Sequence, residues 1–201
     1  MSVSQVERDP VIMAEILNEG RELFKRYGFK KTTMEDIAKM VGKSKSALYY
    51  YFKTKEEIFE AIIMHDMKLQ HQKVAAAVKE SITARDKFRS FVKGMFANVK
   101  EKAEDYSVYR AELFESAKRI LELTEEKDRF VEHQLKDILL FGISNGEVKQ
   151  LQSMEMETWV NMIHWGLKQV GMKIFMNNQN DYILDHLDFL ADSLFDGISI
   201  R

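Results

Sequence analysis

Residues 33–55 read TMEDIAKMVGKSKSALYYYFKTK, and the fold follows from them. Thr33 carries a side-chain oxygen suited to an N-cap, and Glu35 and Asp36 follow in the first turn, where the helix dipole favours acids. Ile37, Ala38 and Val41 supply one apolar face. Gly42, a residue that tolerates positive φ, ends the helix. Ser44 caps a second short helix, whose buried face is Ala47, Leu48 and Phe52. Its other face carries Lys45, Ser46, Tyr49, Tyr50 and Lys53, a cationic, hydrogen-bonding and aromatic surface. A helix of about two turns with such a surface fits a DNA major groove and presents its N-terminal side chains to base edges.

Upstream, a first helix is expected to begin after Asp9 with Pro10 at its first position, a favoured start. Ile12, Ile16, Leu23, Phe24 and Tyr27 recur at helical spacing, and Gly28 ends the run. Phe24, Phe29, Ile37, Leu48 and Phe52 read as the core of a three-helix head. Downstream, Thr54 and Glu57 form a capping box that opens a helix reaching about Glu80, with Ile58, Phe59, Ile62, Ile63, Met67 and Val74 on its apolar pattern. A helix that long can join a head to a body. Further helices are expected from Thr83–Asp86 to Val99, from Ser107, from Thr124, from Ser153 and from Asp181, nine in all.

The chain has 201 residues, 45% of them apolar and 31% charged, with one proline and nine glycines. Together with abundant Lys, Glu, Leu, Met and Ala, this predicts an all-α globular fold. There is no cysteine, so no disulfide framework and no thiolate metal site. MSVSQVERDP lacks a signal-peptide apolar run, and no stretch of about 18 apolar residues exists to span a membrane. A cytoplasmic location is expected. Net charge is −2 overall but unevenly spread. Residues 21–55 hold ten Lys and Arg against three Asp and Glu, a net +7; residues 1–20 carry −3, which leaves −6 for residues 56–201. A basic end on an acidic body is an electrostatic footprint for nucleic acid at that end. A solvated basic face is the alternative that charge alone leaves open.

Ile37-Ala38, Gly42, Ser44, Leu48-Tyr49, Phe52 and Lys55-Glu56, in this order and spacing, resemble the N-terminal helix-turn-helix of the tetracycline-repressor (TetR) family of bacterial regulators. The segment Leu48–Glu56 is especially similar to members that respond to lipophilic drugs. Lys43 stands where the family commonly has a small apolar residue, and Ser46 where it commonly has glycine. The resemblance implies phosphate contacts from Thr33, Ser44, Tyr49, Tyr51, Lys53 and Lys55, with Lys43 a possible addition. It implies base-edge contacts from Lys45, Ser46 and Tyr50. It also implies a DNA-binding domain over residues 1–63, an effector-binding and dimerisation domain over residues 64–201, and a homodimer on a pseudo-palindromic double-stranded operator. Repression, relieved by a small hydrophobic or amphipathic effector, is the default among relatives.

The body is rich in large apolar and aromatic side chains: Phe88, Phe91, Met95, Phe96, Tyr106, Tyr109, Phe114, Phe141, Trp159, Met162 and Trp165. Arg110, Asn161 and His164 are polar groups among them that could orient a ligand. A Met-rich pocket is one reading; core or dimer packing fits each residue taken singly. Gly166 and Gly171 allow close helix approach, and the last two helices would pair across a two-fold axis, or be interior helices of a monomer. No cofactor and no metal site is expected. His65, His71, His133, His164 and His186 form no metal-ligating motif, and no nucleophile motif or phosphate-binding glycine loop is present. An enzyme is therefore disfavoured. A DNA-binding or architectural module without a ligand remains the alternative to a ligand-responsive regulator.

Overall fold

A computed structural model of the chain describes residues 9–97, 99–105, 117–177 and 181–200. Among them are nine α-helices: α1 (Pro10–Tyr27), α2 (Met34–Met40), α3 (Lys45–Tyr51), α4 (Lys55–Glu80), α5 (Ala84–Phe96), α6 (Val99–Asp105), α7 (Ala117–Ser144), α8 (Ser153–Asn177) and α9 (Leu187–Asp196), the last preceded by a 3-10 turn over Asp181–His186. The fold is all-α, as composition and periodicity predict. An isolated antiparallel bridge joins Val148 to Ser199. The chain forms two compact units, Met1–Asp66 with Asp105–Ile120, and Met67–Glu104 with Leu121–Arg201.

In the first unit, the Asp9 carboxylate accepts the Val11 N–H at 2.9 Å and caps α1, with Pro10 supplying a pre-set φ at its start. Ile16, Leu23 and Phe24 of α1, Ile37 and Ala38 of α2, Leu48 of α3, and Ile58, Phe59 and Ile62 of α4 are all buried. Phe29 packs against this core from the α1–α2 loop, with its ring centroid 5.3 Å from those of both Phe24 and Phe59. The Thr54 hydroxyl accepts the Glu57 N–H at 3.2 Å, as a capping box requires. The Glu57 carboxylate reaches one residue further back than expected, to the Lys53 N–H at 2.7 Å.

The second unit is built around Phe88, Phe91 and Val92 of α5, Leu135, Ile138 and Leu139 of α7, Val160, Ile163 and Leu167 of α8, and Ala191 and Phe195 of α9. The ring of Phe88 lies 5.3 Å from Trp159 and 5.9 Å from Phe195. Ion pairs join α5 to α9 along the rim: Arg89 to Asp192 at 2.7 Å, Arg85 to Asp196 at 2.7 Å and Lys93 to Asp188 at 3.0 Å. Gly142 marks a close approach, because a Cβ there would lie 2.5 Å from Val148 Cγ2 and 2.9 Å from Ala84 Cβ.

Three helix boundaries differ from the expected ones. Val99 opens α6 and does not end α5, because the backbone leaves the helix at Ala97, φ −55 and ψ 129. Thr124 starts nothing: α7 runs unbroken through it, on a stretch with no glycine or proline before Gly142. Asp181 opens a 3-10 turn, and α9 begins only at Leu187, since His186 at φ −120 and ψ 22 is not helical. The start expected at Ser107 lies outside the described residues.

Candidate nucleic-acid interface

The helix-turn-helix is assembled from short-range bonds. Thr33 Oγ1 accepts the Asp36 N–H at 3.2 Å, while Asp36 Oδ2 accepts the Thr33 N–H at 2.9 Å and the Thr33 hydroxyl at 2.6 Å. This complete capping box sets the start of α2. Those bonds, the hydroxyl first, hold the Asp36 carboxyl below its ordinary value. Gly42 has φ +66, and a Cβ there would meet nothing within 4 Å. The glycine is therefore demanded by backbone conformation and not by space. The Lys43 N–H donates to the Ala38 carbonyl at 2.9 Å and closes the turn. Ser44 Oγ accepts the Ala47 N–H at 3.2 Å, capping α3, and lies 3.2 Å from Ser46 Oγ.

Leu48 and Phe52 are buried and pin α3 to the head. Lys43, Ser44, Lys45, Ser46, Tyr50 and Lys53 are exposed, whereas Tyr49 and Tyr51 are half-buried. The Tyr50 and Tyr51 rings meet edge to face at 5.2 Å. Lys53 Nζ donates to the Tyr49 carbonyl at 2.8 Å, which folds that side chain back along its own helix. Lys45 pairs with Glu35 of α2, and this bond and charge raise the lysine above its ordinary pKa. Sequence reasoning gave Glu35 only a helix-dipole role. An acid ten positions before a basic recognition residue was the signal available, but register across the turn is needed to read it. Lys55 has turned inward and spends its ammonium on backbone carbonyls of the α1–α2 loop.

An exposed basic and hydroxylic helix, held by two caps and a left-handed glycine turn, is what a groove-reading element requires. Comparison with known proteins agrees. The model of the family described as "Bacterial regulatory proteins, tetR family" matches residues 16–62. The chain is 30% identical over 152 residues to the uncharacterized HTH-type transcriptional regulator YfiR of Bacillus subtilis, with 69% of each chain covered. The chain belongs to the TetR family. A second match, the fatty acid metabolism regulator protein of B. subtilis, is 23% identical over 187 residues, covering 92% of this chain and 94% of the relative. The crystal structure of the transcriptional regulator FadR from B. subtilis in complex with stearoyl-CoA has the same fold, with a TM-score of 0.70 at 23% identity over 92% of this chain and 98% of that one. The matched proteins are transcriptional regulators, and this TetR-family chain is a DNA-binding transcriptional regulator. No described helix is long and apolar enough to cross a membrane.

The candidate effector residues of the body fall into four groups. Phe88 and Phe91 are fully buried, with Met95, Phe141 and Trp159 partly buried against the same core. Met162 and Trp165 point the other way and are 66% and 64% exposed. Tyr106, Tyr109, Arg110 and Phe114 lie outside the described residues. His164 is only 4% exposed. Its Nε2 is 3.0 Å from Asp128 Oδ1 and its Nδ1 is 3.4 Å from Glu132 Oε1, while Lys168 Nζ binds the other Asp128 oxygen at 2.6 Å. The histidine stands out in the sequence but its surround does not: the carboxylates of Asp128 and Glu132 come from α7, 36 and 32 positions away, while the Lys168 ammonium comes from four positions further along α8. Among the described residues, no group of three or more His, Cys, Asp or Glu is placed to hold a metal ion.

Proposed function

We propose that this TetR-family regulator works as a homodimer on a pseudo-palindromic operator, represses transcription there, and is released by a small hydrophobic or amphipathic effector. The carrying observation is the exposed face of α3, with Lys45 and Ser46 in its capped first turn and Tyr50 in its last. Lysine to guanine O6/N7 and hydroxyls to base edges or phosphates are the contacts such a face makes. Lys43, Ser44 and Lys53 supply backbone contacts around it, with Tyr49 and Tyr51 contributing their hydroxyl edges. The domain reading follows from this: residues 1–63 bind DNA, and residues 64–201 dimerise and receive the effector.

A dimer is supported by the surface of the body. Met162 and Trp165 on α8 are exposed beside Gly166, around which a Cβ would meet nothing, and Phe189 on α9 is 73% exposed. Apolar groups this large on adjoining helix positions fit burial between two copies. Met162 and Trp165 are therefore assigned to that face and withdrawn from the effector site. Two heads spaced roughly 34–36 Å apart would read successive major grooves. The effector class is supported by the relatives: one is named for fatty acid metabolism, and one was solved with stearoyl-CoA. An effector that prefers a body conformation with a different spacing weakens DNA binding by the same differential affinity. Helix α4, which contributes residues to both units, is the lever.

The test is a titration against a duplex from the gene's own upstream region, beside a scrambled duplex, at two salt concentrations and with or without stearoyl-CoA. The expected result is binding about a hundredfold or more tighter to the upstream duplex, lost when the acyl-CoA is added. Equal, steeply salt-dependent binding to both duplexes would leave only non-specific electrostatics. Specific binding untouched by stearoyl-CoA and by other acyl amphipaths would favour a DNA-binding module without a ligand.

A further inference from the structure

Ser44 and Ser46 stand two positions apart at the start of α3, and both are exposed. Ser44 Oγ caps the helix by accepting the Ala47 N–H at 3.2 Å. Ser46 Oγ lies 3.2 Å from Ser44 Oγ, close enough for one hydroxyl to donate to the other. Ser46 belongs to the outward side of α3. Leu48 and Phe52 are buried, whereas Lys45, Ser46 and Tyr50 are exposed, and Ser46 and Tyr50 are four positions apart on one face. This is the face that meets base edges in the proposed mode of binding.

A serine hydroxyl has one proton and two lone pairs. In the free head either of these two hydroxyls can donate to the other. DNA removes the choice. A phosphate oxygen only accepts, so a Ser44 hydroxyl in contact with the DNA backbone gives its proton to the phosphate. One Ser44 lone pair is already taken by the Ala47 N–H. The other is open, and the Ser46 hydroxyl is the donor beside it. The Ser46 proton is then committed to Ser44, and Ser46 turns lone pairs alone to the groove.

In the major groove such an acceptor matches the amino group at adenine N6 or cytosine N4. It opposes the carbonyl oxygens at guanine O6 and thymine O4. Lys45, one position earlier, has donors and no acceptor. The first turn of α3 therefore offers one fixed donor and one fixed acceptor to neighbouring bases.

We propose that Ser46 is a specificity-determining residue that reads an amino-bearing base, and that Ser44 sets its polarity: the bond from Ser44 to a phosphate orients the Ser46 hydroxyl so that it can only accept. The proposal rests on the reading that α3 lies in the major groove with Ser44 on the DNA backbone. Glycine, which the family commonly carries at this place, has no hydroxyl to orient.

The test is selection from a pool of duplexes of randomised sequence, with wild type beside Ser46→Ala, Ser44→Ala and Ser44→Asp, and with melting temperatures taken for each. In the wild-type selection one position per half-site should hold adenine or cytosine over guanine or thymine by roughly tenfold. Ser46→Ala should lose that restriction, keep the others and melt with the wild type. The Ser44 variants separate orientation from contact. Aspartate still accepts both the Ala47 N–H and the Ser46 hydroxyl but repels phosphate, so Ser44→Asp should bind more weakly and keep the restriction. Alanine leaves the Ser46 proton with no acceptor beside it, so Ser44→Ala should bind more weakly and lose the restriction although Ser46 is intact.

Three results would each overturn the relay: a wild-type preference for guanine or thymine at the position that Ser46→Ala relaxes, no position that responds to Ser46→Ala, or a restriction that survives Ser44→Ala. A second measurement covers the case in which Ser44→Ala does not fold. Purine in place of the selected adenine, or 2-pyrimidinone in place of the selected cytosine, deletes the amino group. That deletion should weaken wild-type binding roughly tenfold more than it weakens Ser46→Ala, and equal losses would sink the proposal. A wild type that enriched no sequence at all would overturn the DNA-binding reading, and the relay with it.

Discussion

The head and the body solve the same problem, holding short helices in place, with different chemistry. Within the helix-turn-helix of the head the polar bonds are local. Thr33 and Asp36 are three positions apart, Ser44 and Ala47 also three, and Glu35 and Lys45 ten. In the body they span much of the chain: Arg89 and Asp192 are 103 positions apart, Lys93 and Asp188 are 95, and the Ala84 N–H and the Glu147 carboxylate are 63. Local bonds define each helix separately and leave its outer face free to read a ligand. Distant bonds define how helices pack and leave little of any one helix free. The head is accordingly a set of individually capped pieces around a small core, and the body a single apolar mass stitched at its rim.

The largest effect should come from breaking the body's core. Phe88→Ala removes a fully buried ring that packs on Trp159 and Phe195, and should cost about 3–5 kcal/mol, read from urea unfolding followed at the tryptophans, both of which lie in the body. Unchanged stability would mean that this core is loosely packed. The next effect is one of recognition. Lys45→Ala should weaken binding to the preferred duplex by about 1–3 kcal/mol while barely changing binding to a scrambled one, as measured by anisotropy. Glu35→Gln, which removes the partner of Lys45, should instead strengthen binding to both duplexes and narrow their difference. Equal losses from Lys45→Ala on both duplexes would remove its base-reading role.

Smaller still is the loss of a cap. Thr33→Ala deletes the hydroxyl at the centre of the α2 capping box and should cost about 1 kcal/mol, detectable as a lower melting temperature and, through the pose of α3, as weaker binding. The smallest effect is that of acid. Asp36 is held below its ordinary value of 3.8 by the Thr33 hydroxyl and backbone, and Asp192 by its bonds to Arg89 and then Arg85. Both carboxyls are depressed in the folded state, so their stabilisation is complete above the ordinary aspartate value and is lost as pH falls through the folded values. Both are solvent-accessible, so each contribution is small. Thr33→Ala should abolish the Asp36 part and leave the Asp192 part. Unfolding midpoints from about pH 5 down to about pH 2 would show whether the two contributions separate in this way.

The same division of labour explains what could be read from the chain. Thr33, Asp36, Gly42 and Ser44 each announce their role within four residues, because a cap or a turn is a local event. The starts of α1, α4 and α8 were readable for the same reason. Thr124 and Asp181 look like caps to the same eye, yet α7 passes straight through one and α9 waits for Leu187 beyond the other. Whether a cap residue is used depends on what the flanking turns can bury, which is set by partners far along the chain. Apolar spacing placed Phe88 and Met162 in one category, although packing has put the first at the centre and the second outside. The inward turn of Lys55 has no sequence signal, because the carbonyls that capture it belong to the backbone and are the same whatever the side chains.

The bridge between Val148 and Ser199 has a consequence in time. The Lys149 N–H donates to the Ile198 carbonyl at 2.9 Å and the Ile200 N–H to the Glu147 carbonyl at 3.0 Å, with Ile198 buried beneath them. The body therefore closes only on residues near position 200, whereas the head's core ends at Ile62. At about 5–20 residues per second, synthesis of the intervening chain takes on the order of ten seconds. For that interval a nascent chain carries the buried core of α1 to α3 and the start of α4, and no finished body. Each newly made molecule should be able to present its recognition helix before its body has closed.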